Sequence, residues 1–367
     1  MIPITFLATL APIATLSAPA APAAFDDIAA DVRAKCDRGE FSGVITVARA
    51  NRELLRVACA APGTPRISND TRFKFFSMSK IFTGMALTRL IERGKVDPEG
   101  SIAQYVSKVP DAWRAVTVRE LLTHTSGIPD LTERLLAEFD AGAANHHAAM
   151  VRLLGNLQAE NPPLSFPPDT KWRYNNFGYE LLAEIGAAAA KKPFDQVLRE
   201  LVLEPAGMKN AVVALPLLAE GKPVGSKPVA RLVPGFNGKP GALEPAESKS
   251  YVQLGAGAVI GTESDLRAYD MAMRSGTLLS LALQASDAAQ AFRVNDRVAY
   301  GNGVMYRKSG DCTVVQHSGG SNGYVSDFAR IPERRATVIV LSNLGFATAD
   351  ELRSKLVNRL TEAEPCS

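Results

Sequence analysis

Ser77-Met78-Ser79-Lys80 places a hydroxyl and an amine three residues apart at the head of an apolar run in which Ile81, Phe82, Met85, Leu87, Leu90 and Ile91 recur at helical spacing. On a helix such a pair shares one face. The first helical turn favours negative charge on the serine oxygen, and a lysine shielded from water can take the hydroxyl proton. An isolated S-x-x-K also arises by chance, and an ordinary helix cap explains it. Its position singles it out, directly after Phe73, Phe75 and Phe76.

Two further constellations could complete the chemistry. Tyr174-Asn175-Asn176 sets a phenol and an amide on a turn before a helix. A tyrosinate beside Lys80 is a competent general base, although a packed tyrosine with a bonded hydroxyl is the commoner use of the residue. His317-Ser318-Gly319-Gly320 closes a β-rich run, and its glycines allow a substrate to approach the strand backbone. A main-chain N–H there and that of Ser77 could form an oxyanion hole. Gly319 to Gly323 also spells G-x-S-x-G, but that nucleophile elbow needs a following helix and a later histidine. Residues 324–331 read as a strand, and His317 is the last histidine of the chain. His124 beside Ser126 reads as a hydrogen-bonded core residue. His146 and His147, in a polar helical stretch, read as surface residues.

Around these motifs the chain divides by periodicity. Helices are expected over 25–37, 77–93, 116–122, 131–157, 177–190, 194–203, 262–275 and 348–361, with Thr262 or Ser264 capping the helix near 262. Strands are expected over 42–48, 53–58, 312–317, 324–331 and 336–342. The Pro-, Gly- and Lys-rich stretch 216–250 reads as loops and short hairpins. Strands at both ends with helices between them imply one sheet built from both termini and an inserted helical region.

Composition narrows the function classes. The chain has 367 residues, 46% hydrophobic and 22% charged, which suits a globular protein with a large core. A formal charge of +3 from 41 basic and 38 acidic residues gives no support to nucleic-acid binding. Four cysteines and four histidines, with no CxxC or HExxH, give none to a zinc framework. Residues 1–24 are uncharged, with an apolar core over 4–16 followed by small residues, the pattern of an export signal cleaved near 20–24. Its short, proline-broken core argues against a membrane anchor. Export permits disulfides, and Cys36, Cys59, Cys312 and Cys366 allow three complete pairings.

S-x-x-K, then Y-x-N, then H-x-G in place of K-x-G, in this order, resembles the signature of the penicillin-recognising serine hydrolases. The detail is similar to the class C β-lactamase-related branch, with its D-alanyl-D-alanine carboxypeptidases, D-aminopeptidases and family VIII-type esterases. Phe75 to Thr83, Val116 to Ile128, Glu204-Pro205-Ala206-Gly207-Met208, Gly255-Ala256-Gly257 with Thr262, Asp265 and Leu266, and Tyr300-Gly301-Asn302-Gly303 extend the resemblance over about 25–361. It implies a β-lactamase/transpeptidase-like α+β fold: an antiparallel sheet, about 25–72 and 250–367, flanked by helices, with a mostly α-helical insertion, about 73–249. It further implies Ser77 as the acylated nucleophile, Lys80 as proton acceptor or its electrostatic partner, and Tyr174 as general base or acid. Asn176 would hold the substrate amide or Lys80. The N–H groups of Ser77 and Gly320 would form the oxyanion hole, and His317, Ser318 and Gly319 would line the substrate.

No metal or cofactor is implied. The implied substrates are small-molecule esters, amides, β-lactams or peptidoglycan-derived peptides, met in the periplasm or outside the cell. No nucleic-acid partner and no stable membrane insertion after signal removal are implied. A non-catalytic peptidoglycan- or penicillin-binding relative would lack the serine, lysine or tyrosine, and all three are present. Where the family carries a lysine, His317 offers a weaker field to a substrate carboxylate, which ranks neutral esters or D-amino-acid-type amides above β-lactams. In a sheet like the family's, Cys36 meets Cys59 and Cys312 meets Cys366, with Cys59 and Cys312 on opposite sheet edges.

Overall fold

Strands from the two ends of the chain meet side by side in one eight-stranded antiparallel sheet. The computed structural model describes residues 25–247, 249–362 and 366; the expected export segment, 1–24, lies outside them. In chain order the helices are α1 (Asp26–Asp37), α2 (Lys80–Glu92), α3 (Val118–Leu122), α4 (Thr132–Asp140), α5 (His146–Glu160), α6 (Asn176–Ala190), α7 (Phe194–Leu198), α8 (Glu263–Arg274), α9 (Leu281–Ala289) and α10 (Ala349–Glu362). The strands are β1 (Gly43–Arg49), β2 (Arg52–Cys59), β3 (Phe73–Lys74), β4 (Val212–Val213), β5 (Pro216–Ala219), β6 (Lys222–Ser226), β7 (Gly235–Lys239) and β8 (Ala242–Ala246). They continue with β9 (Val259–Gly261), β10 (Phe292–Asn295), β11 (Val298–Gly301), β12 (Val304–Ser309), β13 (Cys312–Ser321), β14 (Tyr324–Ile331) and β15 (Ala336–Ser342).

The large sheet runs β10-β11-β12-β13-β14-β15-β1-β2. Its central strands are apolar on both faces, and the side chains alternate between two cores. Val44, Phe328, Ile339 and Leu341 face the helical insertion and pack with Ile81, Met85 and Tyr269. Ile45, Val47, Val338 and Val340 face α1 and α10, meeting Ile28, Val32, Leu352 and Leu356. The sheet is therefore a middle layer. A small sheet, β3-β9-β4, ties the segment that leads to Ser77 to β9 and β4.

Several expected elements differ in detail. The helix read over 77–93 begins as a 3-10 turn, Phe76–Ser79, before α2. The stretch 131–157 breaks at 141–145 into α4 and α5, where Asn145 caps α5 by accepting the Ala148 N–H at 2.9 Å. α7 covers only part of 194–203 and passes into a π turn, Arg199–Leu203. Thr262 caps α8 in a reciprocal capping box with Asp265. Between 281 and 309 the sequence reading missed α9 and three whole strands, β10 to β12. These strands widen the sheet, so β13 is internal and Cys312 is not on an edge, contrary to expectation. Four strand spacings still separate β13 from β2, and the disulfides are Cys36–Cys59 and Cys312–Cys366, with Cα atoms 6.2 and 5.1 Å apart. The stretch after 216 forms the hairpins β5–β6 and β7–β8. No helix among the described residues is long and apolar enough to cross a membrane.

Candidate active site

Ser77 is half-exposed on a turn whose other residues are buried. Phe75 donates its N–H to the Val259 carbonyl at 2.9 Å, Ser79 Oγ accepts the Val259 N–H at 3.0 Å, and Ser326 Oγ donates to the Phe75 carbonyl at 2.8 Å. Phe76 is held at φ +45°, a conformation unfavourable for a bulky side chain that the surrounding packing must enforce. Two glycines permit the close fit. A Cβ at Gly319 would run into the Phe75 carbonyl, and one at Gly84 into the Asn302 carbonyl. The serine is thus seated by main chain meeting main chain.

Lys80 opens α2 and is fully buried. Its Nζ donates to Asn176 Oδ1 at 2.7 Å, to the Ala256 carbonyl at 3.2 Å and to Ser77 Oγ at 3.4 Å. All three acceptors are uncharged oxygens. Two rings cover the amine, with Tyr174 centred 4.8 Å away and Tyr179 5.5 Å away. The Tyr174 hydroxyl is buried with no hydrogen-bond partner among the described residues, a costly arrangement in a purely structural tyrosine. Asn175 caps α6 by accepting the Gly178 N–H at 2.9 Å, which puts Asn176 on the first helical turn facing Lys80.

His317, Ser318, Gly319 and Gly320 lie on the far half of β13. Ser321 pairs with Tyr324 across a two-residue turn. Alternation along the ladder then joins Gly319 to Ser326 by hydrogen bonds and turns the Gly320 N–H away from β14. On that other side β12 stops pairing at Gln316, so the edge is open where Gly320 lies. The same hairpin shows that Gly319 to Gly323 is no strand-to-helix elbow.

His317 is buried, with Nδ1 2.6 Å from its neighbour's carbonyl at Ser318 and Nε2 3.3 Å from the Tyr300 hydroxyl. Nδ1 must donate to the carbonyl, and in the neutral ring Nε2 accepts from the phenol. Burial, with Lys80 adding to it, lowers its pKa to about 3, against the opposing Ser318 bond. His124 stacks against Tyr174, Tyr179 and Tyr300 at 4.5 to 4.9 Å and accepts the Asn175 N–H on Nδ1 at 3.3 Å. Burial, then Lys80 and His317, holds it well below the usual histidine range. The core role expected for His124 agrees with this packing.

His146 departs from expectation, because it is buried rather than on the surface. Its Nε2 is 2.8 Å from Glu180 Oε2 and its Nδ1 3.0 Å from Glu184 Oε1, so both nitrogens must donate. Burial pushes its pKa down, but the two carboxylates override this and raise it to about 9. His147 is exposed, as expected, and bonds Glu184 at 2.7 Å. The sequence reading assigned no role to Glu180, to the Ala256 carbonyl or to the Tyr300 hydroxyl. Glu180 had a visible mark: with Glu184 it is one of two acids in an otherwise apolar helix, four residues after Asn176 and so on the same face.

The Beta-lactamase family model matches residues 25–361. Penicillin-binding protein 4* of Bacillus subtilis (strain 168) is 29% identical over 290 residues, covering 76% of this chain and 62% of its own length. Esterase EstB of Burkholderia gladioli is 26% identical over 255 residues, covering 64% of this chain and 61% of its own. The chain therefore spans about three-fifths of the length of each of these relatives. The crystal structure of D-amino acid amidase from Ochrobactrum anthropi SV3 aligns with a TM-score of 0.70 at 21% identity, over 94% of this chain and 96% of that one.

Proposed function

Because the chain belongs to the β-lactamase family, a family with hydrolase members, we propose that it is an exported serine hydrolase that forms an acyl-enzyme on Ser77. Its acyl donors are neutral esters or D-amino-acid-type amides. The observation that carries the reading is the seat of Lys80: its amine is within reach of Ser77 Oγ, fixed by Asn176 and faced by the Tyr174 ring.

In the first step Ser77 Oγ bonds to the substrate carbonyl carbon while its proton passes to Lys80 or Tyr174. The carbonyl oxygen becomes an oxyanion held by the N–H groups of Ser77 and Gly320. Collapse breaks the bond to the alcohol or amine, which leaves with a proton returned through Tyr174. Water repeats the sequence on the acyl-enzyme, releasing the acid and restoring Ser77.

A neutral His317 supports the choice of substrate, because it offers no cation to a carboxylate beside the scissile bond. The relatives named esterase and D-amino acid amidase agree with this choice. β-Lactam hydrolysis is the second reading, favoured by the family and by the relative named penicillin-binding protein. Export is supported by the pattern of residues 1–24 and by the two disulfides.

The test is a panel of a p-nitrophenyl ester, a D-amino-acid amide and nitrocefin, run on wild type and Ser77→Ala. The ester or amide should turn over fastest, and Ser77→Ala should lose on the order of 10⁴-fold or more. A fluorophosphonate adduct should map to the Ser77 peptide. Near wild-type ester hydrolysis by Ser77→Ala overturns the nucleophile, and nitrocefin as the best substrate overturns the substrate class.

A further inference from the structure

We infer that Glu180 and His146 are positioning residues for Lys80, acting through the main chain at Gly255 and Ala256; the inference rests on the reading of Lys80 as part of the catalytic set. Glu180 is fully buried on α6. Its Oε2 accepts the Gly255 N–H at 2.9 Å, and its Oε1 accepts the Ala256 N–H at 3.0 Å. A carboxylate that gathers two successive amides fixes the orientation of both peptide planes. The carbonyl of Ala256, one bond set further along, is the oxygen that accepts from Lys80 Nζ. From the other side Thr83 Oγ1, on the same helix as Lys80, donates to the Gly255 carbonyl at 2.6 Å. The segment is therefore clamped between α2 and α6.

Asn176, which makes the shortest contact with Lys80, lies on α6 four residues before Glu180. Both acceptors that orient the amine away from Ser77 thus trace to one helix, Asn176 directly and Ala256 through Glu180. The indirect route has a chemical advantage. A carboxylate set against the ammonium would favour the charged form and hold its proton. With a peptide interposed, the carboxylate fixes the geometry while Lys80 itself meets only neutral oxygens, free to exchange a proton with Ser77.

His146 completes the device. A buried carboxylate needs a compensating charge, and the imidazolium supplies it by donating to Glu180 from Nε2 and to Glu184 from Nδ1. It sits on the first turn of α5, where the helix dipole disfavours a cation, so its charge depends on these acids. Neither residue touches the reacting atoms.

The experiment uses the full chain and a neutral ester, p-nitrophenyl acetate. The kcat, KM and thermal unfolding are measured for Glu180→Gln, His146→Gln, Lys80→Met and, as a control, His147→Gln. Glu180→Gln keeps the shape but presents an N–H₂ to one of the two amides. Its kcat should fall by about 10- to 100-fold with KM changed less than about threefold, the signature of a misplaced catalytic group. His146→Gln should shift kcat in the same direction by less, and His147→Gln should match wild type. If Glu180→Gln does not fold, His146→Gln, which keeps Glu180 and both amides, is read by the same split. Wild-type kcat in the folded variant overturns the inference. A fully active Lys80→Met would instead remove the reading beneath it, whereas an inactive Lys80→Met beside a wild-type Glu180→Gln overturns the positioning role alone.

Discussion

Two buried histidine clusters connect to Lys80 and differ in charge. His317 and His146 are equally withdrawn from water, 4% and 5% exposed, yet one is held neutral with its pKa near 3 and the other is held charged with its pKa near 9. Burial pushes both down. The neighbours decide the outcome: a carbonyl and a phenol face His317, and two carboxylates face His146. The protein thus keeps one buried histidine uncharged on β13 and holds another charged between α5 and α6. Lys80 connects the two settings: it disfavours charge on His317, and it donates to the carbonyl of Ala256, whose N–H Glu180 accepts.

The largest test of this division removes the shared element. Lys80→Met should lower ester turnover on the order of 10²- to 10⁴-fold, and Tyr174→Phe should do the same while leaving thermal unfolding nearly unchanged. Normal turnover in a folded Tyr174→Phe would leave its buried, unpartnered hydroxyl without a function.

On the charged side, Glu180→Ala leaves His146 with Glu184 alone and two amide N–H groups unbonded. A loss of about 3–5 kcal/mol in denaturant unfolding is expected. A loss below about 1 kcal/mol would show that the cluster is not bound together by charge.

On the neutral side, His317→Lys places a cation where the wall has none. The turnover ratio of carboxylate-bearing β-lactams to neutral esters should rise by about tenfold, the worth of one charge-assisted hydrogen bond. An unchanged ratio would remove His317 as the determinant of substrate charge.

The smallest effects, on the order of 1 kcal/mol per pH unit, come from titration. His146 has a raised folded pKa, so its contribution is fully present below about 6.5 and is lost as pH rises through about 9. His317 has a depressed one, so its contribution is present above about 6.5 and is lost as pH falls toward about 3. Denaturant curves at pH 5, 7 and 9 should show His146→Gln flattening only the alkaline decline and His317→Asn only the acid one. Swapped effects would mean the charge states are reversed.

The sequence announced the parts whose physics is local. The strands β1 and β15 are largely runs of β-branched and apolar residues, α8 carries its cap in Thr262 and Asp265, and the S-x-x-K pair needs only one turn of chain. Elements defined by distant neighbours were silent. Strands β10 to β12 contain Arg293, Asn295, Arg307 and Lys308 and sit at the sheet margin, so their alternation is diluted. α9 has no fully buried side chain and thus no clear apolar stripe. His146 has polar neighbours in Asn145 and His147, while the acids that bury and charge it lie 34 and 38 residues along the chain. The Ala256 carbonyl, being main chain, left no mark beyond its flanking glycines.

The glycine contacts around the Ser77 turn bear on how this chain can change over generations. At Gly84 and Gly319 a side chain of any size would meet a carbonyl oxygen, so no graded series of substitutions leads away from glycine. Each position is all or nothing, and the nucleophile's seat is closed to gradual drift. The hairpin β5–β6 is largely exposed, and a Cβ at Gly221 or Gly225 would meet no neighbour. Variation accepted by the fold will collect there, and a laboratory library aimed at new properties should be drawn over 216–226 while Gly84 and Gly319 are left untouched.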